Sequence, residues 1–199
     1  MEFGICKNDI NLIYGPAASG KTTLCIIACI EAIKSGKRVF FIDTCNSFSV
    51  ERFIQLGGKD LLDKIFIIKA KNFNEQFKAI EKLLNVKKSL IVVDSLTVYY
   101  RKLLKEESGV NTKMAKLMKN LAKITRKGNT AVITSMVYSN MEKDILPVGG
   151  GMLKNWSNCI IRLEKNETER RFVLEKHPKL KKIEFNFKIT NDGIEIMDV

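Results

Sequence analysis

Gly15, Pro16, Ala17, Ala18, Ser19, Gly20, Lys21 and Thr22 form an uninterrupted G-x-x-x-x-G-K-T, with Thr23 continuing it. These residue types at this spacing suit a nucleoside polyphosphate. Glycines let the backbone curl so that successive N–H groups converge on phosphate oxygens. The lysine reaches the terminal phosphates, and the threonine hydroxyl can ligate Mg²⁺. A chance glycine-rich loop is the alternative. It loses weight because the motif falls between an apolar strand-like run and a helical pattern, the context its chemistry requires. Asp94 closes the apolar run Leu90, Ile91, Val92 and Val93. A carboxylate at such a strand end can hold the hydration shell of Mg²⁺ opposite Thr22. The expected ligands are therefore a nucleoside triphosphate and Mg²⁺.

Both motifs need strands and helices to hold them. Ile10, Asn11, Leu12, Ile13 and Tyr14 read as a buried strand. From Lys21 to about Ser35, Leu24, Ile27, Ala28, Ile30 and Ile33 give a helix buried around most of its girth, with Gly36 as its stop. Residues 38–43, 65–68, 90–94 and 130–134 read as further strands. The spacing predicts a short helix over 49–56 closed by Gly57 and Gly58, and a second through Phe73, Phe77, Ile80 and Leu84, capped by Asn72 or Asn74. A third runs through Met114, Leu117, Met118, Leu121 and Ile124. This alternation predicts an α/β fold with a doubly wound, mostly parallel sheet. After about residue 155 the texture changes. Residues 158–163, 171–176, 184–190 and 193–197 read as short strands that extend the sheet as an antiparallel meander. Residues 99–111 and 138–153 fit no element. Both follow the C-terminal ends of central strands, where open α/β sheets bind ligands.

Composition narrows the classes. The 199 residues carry 34 Lys and Arg against 22 Asp and Glu, a formal charge of +12. The length and the 45% hydrophobic content allow one sizeable core and leave two full domains cramped. One core domain over residues 1–199 is expected, with no separate N-terminal DNA-binding domain. Runs of the eighteen or so apolar residues that span a membrane are missing, and the N-terminus lacks the layout of a secretion signal. A cytoplasmic protein with no membrane partner is the expectation. Five cysteines, no CxxC and the lone His177 argue against a disulfide framework or a zinc site. Cys25 and Cys29 share a helix face, where small core residues are a better reading than metal ligands without companions. The positive excess suits a polyanion, although lysine-rich solvated surfaces are common.

The phosphate loop, Phe41-Ile42-Asp43-Thr44 with Glu51-Arg52-Phe53, and Val93-Asp94-Ser95 with Tyr100-Arg101 resemble the core of the RecA-type recombinases. The tail is similar to the archaeal RadB group of that family. It carries Gly149-Gly150, Trp156-Ser157, Ile160-Ile161-Arg162-Leu163-Glu164-Lys165, Leu174-Glu175-Lys176-His177, and Ile189-Thr190 with Gly193-Ile194. The resemblance runs along nearly the whole chain. It implies a P-loop NTPase core with a C-terminal antiparallel extension, binding DNA, single-stranded or junction. A RadA-like recombinase is the implied protein partner, and a Holliday-junction resolvase a further one. It also implies that Arg52 stacks on adenine, a task that suits a guanidinium plane. A solvated helix arginine is an equal alternative there. Two positions depart from the family. Where it has the Glu that polarises the attacking water, this chain has Cys45. Where it has the Gln that senses the γ-phosphate, this chain has Met136, whose thioether cannot donate a hydrogen bond. Ser95 stands beside Asp94, where other P-loop ATPases keep a catalytic glutamate. Losing a general base typically costs on the order of 10²–10⁴ in rate.

Tyr99, Tyr100, Arg101, Lys102 and Lys105 cluster in the first unassigned stretch, with Lys113, Lys116 and Lys119 along the next helix. Aromatics can stack on bases, and cations neutralise phosphates. Alternatively, Tyr99 or Tyr100 packs under the loop while the lysines face water. Loop position and family likeness favour DNA contact through Tyr100, Arg101, Lys102 and Lys105. Residues 139–144, mixed in charge, offer less. The expected function is that of an ATP- and DNA-binding accessory protein of homologous recombination and DNA repair, with slow or lost hydrolysis. The alternatives are an active DNA-dependent ATPase and a KaiC-like regulatory protein with no DNA role.

Overall fold

The computed structural model of the chain describes residues 2–138, 145–167 and 169–197. The strands β1 (Ile10–Tyr14), β2 (Arg38–Asp43), β3 (Ile65–Lys69), β4 (Ser89–Asp94) and β5 (Thr130–Ser135) pair in parallel, and β6 (Cys159–Lys165) joins β1 in the same sense. β7 (Arg170–Lys176), β8 (Ile183–Thr190) and β9 (Gly193–Met197) follow as antiparallel partners. The sheet order is β3-β2-β4-β5-β1-β6-β7-β8-β9. The antiparallel part therefore begins one strand later than the sequence predicts. β6 is reached by a crossover from β5 through the helix before it, and such a connection sets the strands parallel.

The apolar runs are buried because helices cover both faces. Ile13, Leu90, Val92 and Val132 face α1 (Lys21–Lys34), while Leu12, Ile91, Val93 and Ile133 face α3 (Phe73–Lys82) and α5 (Val110–Arg126). Successive side chains alternate between faces, so only a sheet covered on both sides explains strands with no polar stripe. α1 starts straight after Gly20 and stops where Gly36, at φ +76°, donates its N–H to Ile33 O. Asn72 caps α3, its side chain accepting from Glu75 N. β3 is an edge strand and leaves Phe66 and Ile67 exposed.

Three local differences from the sequence reading have physical reasons. The short helix α2 (Val50–Phe53) does not reach Gly57 as regular helix. It widens into a π-type turn over Ile54–Gly58, and a 3-10 segment follows over Lys59–Lys64. Gly58 is required there, since a Cβ would sit 2.4 Å from the Phe53 ring. The stretch after β4 forms α4 (Val98–Leu103), too short for its periodicity to be recognised, and α5 begins earlier than its apolar pattern. Gly149 (φ +87°) and Gly150 (φ +45°) lead into α6 (Gly150–Trp156). Among the described residues, no helix is long and apolar enough to cross a membrane.

Candidate functional site

The phosphate-loop residues join the C-terminal end of β1 to the first turn of α1. Ala18 (φ +57°) and Gly20 (φ +103°) take left-handed backbone to make that turn. Gly15 passes so close to β6 that a Cβ would stand 2.3 Å from Leu163 O and 2.9 Å from Ser19 Oγ. Lys21 Nζ donates to Gly15 O at 2.9 Å and Pro16 O at 2.6 Å, so it lies across the loop. Burial pushes the Lys21 ammonium pKa down, and the Asp94 carboxylate works against that shift. Ser19 Oγ is buried and has no hydrogen-bond partner among the described residues. A cleft of about 310 Å³ opens over the loop, lined by Ala18, Ser19, Gly20, Lys21, Thr22 and Thr23 together with Arg170 and Ile189.

β4 stands next to β2 and β5, and that adjacency builds the second half of the site. Thr22 Oγ1 donates to Asp94 Oδ2 at 2.6 Å, bringing the two expected metal residues together. Thr134, from β5, donates to Asp94 Oδ1 at 2.5 Å. Ser47 Oγ lies 3.1 Å from Asp94 Oδ2 and 3.4 Å from Asp43 Oδ1, bridging two buried carboxylates. Asp43 is committed elsewhere. It accepts the N–H groups of Cys45, Ser47 and Phe48 at 3.2, 3.0 and 3.1 Å and so clamps the loop after β2. On that loop Cys45 is exposed, with its thiol 3.7 Å from Thr44 Oγ1. Met136 packs against the apolar core on the α5 side of the sheet, and its N–H donates to Thr97 Oγ1. Ser95 Oγ lies buried, 3.3 Å from Thr134 O.

Arg52 fastens α2 to the turn between β8 and β9. Its guanidinium donates to Thr190 O at 2.7 Å and Asn191 O at 2.9 Å. Those bonds tie the edge of the group to backbone carbonyls, so Arg52 is not the solvated helix arginine of the alternative reading, whereas stacking would use the face that they leave unused. Cys25 and Cys29 are buried inside α1, where burial pushes both thiol pKa values upward.

The expectation for Tyr100 is corrected. Its ring is buried in the core, and its hydroxyl donates to Asn111 Oδ1 at 2.6 Å, so no face is presented to a base. Tyr99 is also pinned, 2.7 Å from Ala70 O and 3.0 Å from Thr44 O. Arg101, Lys102 and Lys105 are exposed on and after α4. Lys113 pairs with Glu107, whereas Lys116 and Lys119 project from α5 toward solvent. The second loop considered for DNA, 139–144, lies outside the described residues.

Sequence reasoning missed four contributors. Ser47 and Thr134 reach Asp94 from different strands or loops, and Arg170 and Ile189 reach the phosphate loop from β7 and β8. Arg170 Nε donates to Ala18 O at 3.2 Å. A motif signal was available only for Thr134, which stands just before the departing Ser135-Met136.

Comparison with known proteins places this geometry. Residues 1–198 match the Rad51 family. The DNA repair and recombination protein RadB of Methanococcus maripaludis is 39% identical over 201 residues, covering 96% of this chain and 93% of that protein. The protein of the same description from Methanocaldococcus jannaschii is also 39% identical, over 96% of this chain and 95% of its own length. A crystal structure of the RadB recombinase superposes with a TM-score of 0.82 at 28% identity, over 98% of this chain and 93% of that one.

Proposed function

Because the chain belongs to the Rad51 family, and within it to the RadB group, we propose that it binds ATP and Mg²⁺, binds DNA, and assists a RadA-like recombinase in recombination and repair while hydrolysing ATP slowly or not at all. The whole chain is taken as one core domain. The observation that carries this reading is a complete ground-state site beside an incomplete catalytic one. The residues fit the nucleotide. Gly15 leaves no room for a side chain, Ser19 Oγ has a free bonding capacity in the loop wall, and Thr22 meets Asp94 at 2.6 Å. Backbone N–H groups of residues 15–23 with Lys21 would hold the phosphates, and Thr22 with Asp94 would hold Mg²⁺. When bound, Mg²⁺ supplies charge neutralisation at the phosphates. Thr134 and Ser47 fix the Asp94 carboxylate by hydrogen bonds, and Arg52 is the candidate for adenine.

The chain's own groups make proton abstraction from water difficult. Asp43 already accepts three backbone N–H groups. Cys45 offers a thiol where a carboxylate is needed, and Met136 has no proton to donate. Arg101, Lys102 and Lys105 are the candidates for phosphodiester contact, as exposed cations following a central strand.

Titration calorimetry with ATP·Mg²⁺ tests the reading, together with turnover measured with and without single-stranded DNA. Wild-type protein is expected to bind ATP, Lys21→Ala to lose that binding, and turnover to stay far below the order of 1 s⁻¹ common among enzymes. A wild type that binds no ATP overturns the nucleotide site. Fast DNA-stimulated turnover makes the protein an active ATPase instead.

A further inference from the structure

The end of the sheet opposite the phosphate loop carries a second concentration of charge. Arg38, Lys87, Lys88 and Lys127, with Gly36 and Gly128, line an open pocket of about 610 Å³. No carboxylate lines it, all four cations are exposed, and none forms an ion pair among the described residues. Strand register explains the convergence. Arg38 pairs with Ser89, and Leu90 pairs with Thr130. The loops entering β2, β4 and β5 therefore reach the sheet at one level, and their cations stand side by side.

The cluster extends toward β1. Lys37 Nζ lies 3.3 Å from Thr130 Oγ1, and Asn8, next to the exposed Lys7, donates its N–H to the same oxygen. Burial, and to a lesser extent the nearby Lys7 charge, push the Lys37 pKa down. Lys88 holds left-handed backbone (φ +51°), which is unfavourable for a residue with a Cβ. The acidic groups nearest this end do not line the pocket, and they include Glu31 and Glu81 in the last turns of α1 and α3. Asp60 and Asp63 precede β3, and Asp9 accepts from Asn158.

The chemistry favours a phosphodiester over a protein. Lysine is depleted in protein–protein interfaces, and a carboxylate-free set of exposed cations gives a protein surface few directional partners. Three neighbouring strands at a spacing of about 4.7–4.9 Å place the cations over roughly 10 Å, the rise of about three phosphates along one strand of a duplex. We propose that this end of the sheet is a second nucleic-acid contact, binding a short stretch of phosphodiester backbone, separate from the α4 surface and independent of bound nucleotide.

The test is fluorescence anisotropy of labelled duplex and single-stranded oligonucleotides over a salt series. Wild type is compared with Arg38→Gln/Lys87→Gln/Lys88→Gln and with Arg101→Gln/Lys102→Gln/Lys105→Gln. Lys127 is left in place because it donates to Leu84 O and Asn85 Oδ1. The first variant is expected to flatten the log–log salt slope on duplex by about 2–3, at roughly 0.9 per contact, equally with and without ATP. The α4 variant should keep that part of the slope, so failure of the α4 surface and failure of this one are read separately. A slope unchanged in the first variant overturns the proposal. So does loss of all binding in the α4 variant alone. Competition with inorganic tripolyphosphate covers the small-anion source. If the first variant loses only tripolyphosphate binding and keeps its DNA slope, the pocket holds small anions and the proposal falls. Should the triple variant fail to fold, Lys88→Gly removes one charge and relieves the left-handed backbone, and it is expected to lower the duplex slope by about 0.9.

Discussion

Replacing Cys45 with glutamate puts a carboxylate where the family holds its water-polarising group. The structure fixes what this can achieve. Asp43 clamps the loop through the N–H groups of Cys45, Ser47 and Phe48, so the backbone at position 45 stays put. Cys45 is exposed, and a substitution at such a site usually changes stability by less than about 0.5 kcal/mol. The ceiling is that of a general base, about 10²–10⁴ in rate, or roughly 2.7–5.5 kcal/mol of barrier. Two features lower it. Among the described residues the thiol's hydrogen-bonding neighbour is Thr44 Oγ1 at 3.7 Å, a weak brace for a longer acid, and Met136 packs against the core. We expect a gain of about ten- to a hundredfold in kcat with little change in ATP affinity, because a base acts in the transition state. Adding Met136→Gln should raise turnover further and make it respond to DNA. Radiolabelled ATP turnover and calorimetry on one preparation measure both quantities. A Cys45→Glu protein that binds ATP and shows an unchanged rate refutes the reasoning. Wild-type turnover of order 1 s⁻¹ or faster refutes it too.

Three other perturbations have definite outcomes. Gly15→Ala puts a Cβ 2.3 Å from Leu163 O, a backbone atom that moves only with β6. At about 1–3 kcal/mol for overpacking, thermal melts should show Tm lower by roughly 2–12 °C, with the ATP-induced Tm rise lost. Thr134→Val keeps the shape and removes the 2.5 Å bond to Asp94. A buried bond to a charged group is worth about 1.5–3 kcal/mol, so Tm should fall by roughly 3–12 °C, and an unchanged melt contradicts the assigned network. Glu175 ties β7 to β1 and β6 by accepting from Tyr14, Arg162 and Lys154. Burial acts to raise its carboxyl pKa, but the Tyr14 hydrogen bond and the Lys154 and Arg162 charges outweigh it and hold the value below the usual range. A depressed folded pKa stabilises the fold above the unfolded value of about 4.3, and that stability is lost as pH falls through the folded one. Tm measured against pH should therefore show wild type above Glu175→Gln at neutral pH, the two converging as the pH falls below about 4.

The order of elements and the phosphate-binding chemistry were legible in the sequence because they are local. A G-x-x-x-x-G-K-T needs only its own eight residues, and runs such as Leu90 to Val93 declare burial on both faces by lacking a polar stripe. Asp94 could be paired with Thr22 only because a strand-end carboxylate followed a complete phosphate loop at a plausible distance, and the 2.6 Å bond between them agrees with that pairing. Contacts between residues far apart in sequence were not legible, since they depend on which strands become neighbours. Thr134 reaches Asp94 because β5 lies beside β4, and Arg170 reaches Ala18 because β7 follows β6 across from β1. Tyr100 carries the residue type of a base-stacking group, yet one turn of α4 rotates it into the core and leaves Arg101 and Lys102 outside. Helical phase in so short a segment leaves no periodicity to read, so packing decided it. The basic row at the far end of the sheet had the same origin. Arg38, Lys87, Lys88 and Lys127 are scattered over ninety residues of sequence and become neighbours only when parallel register brings three loops to one level.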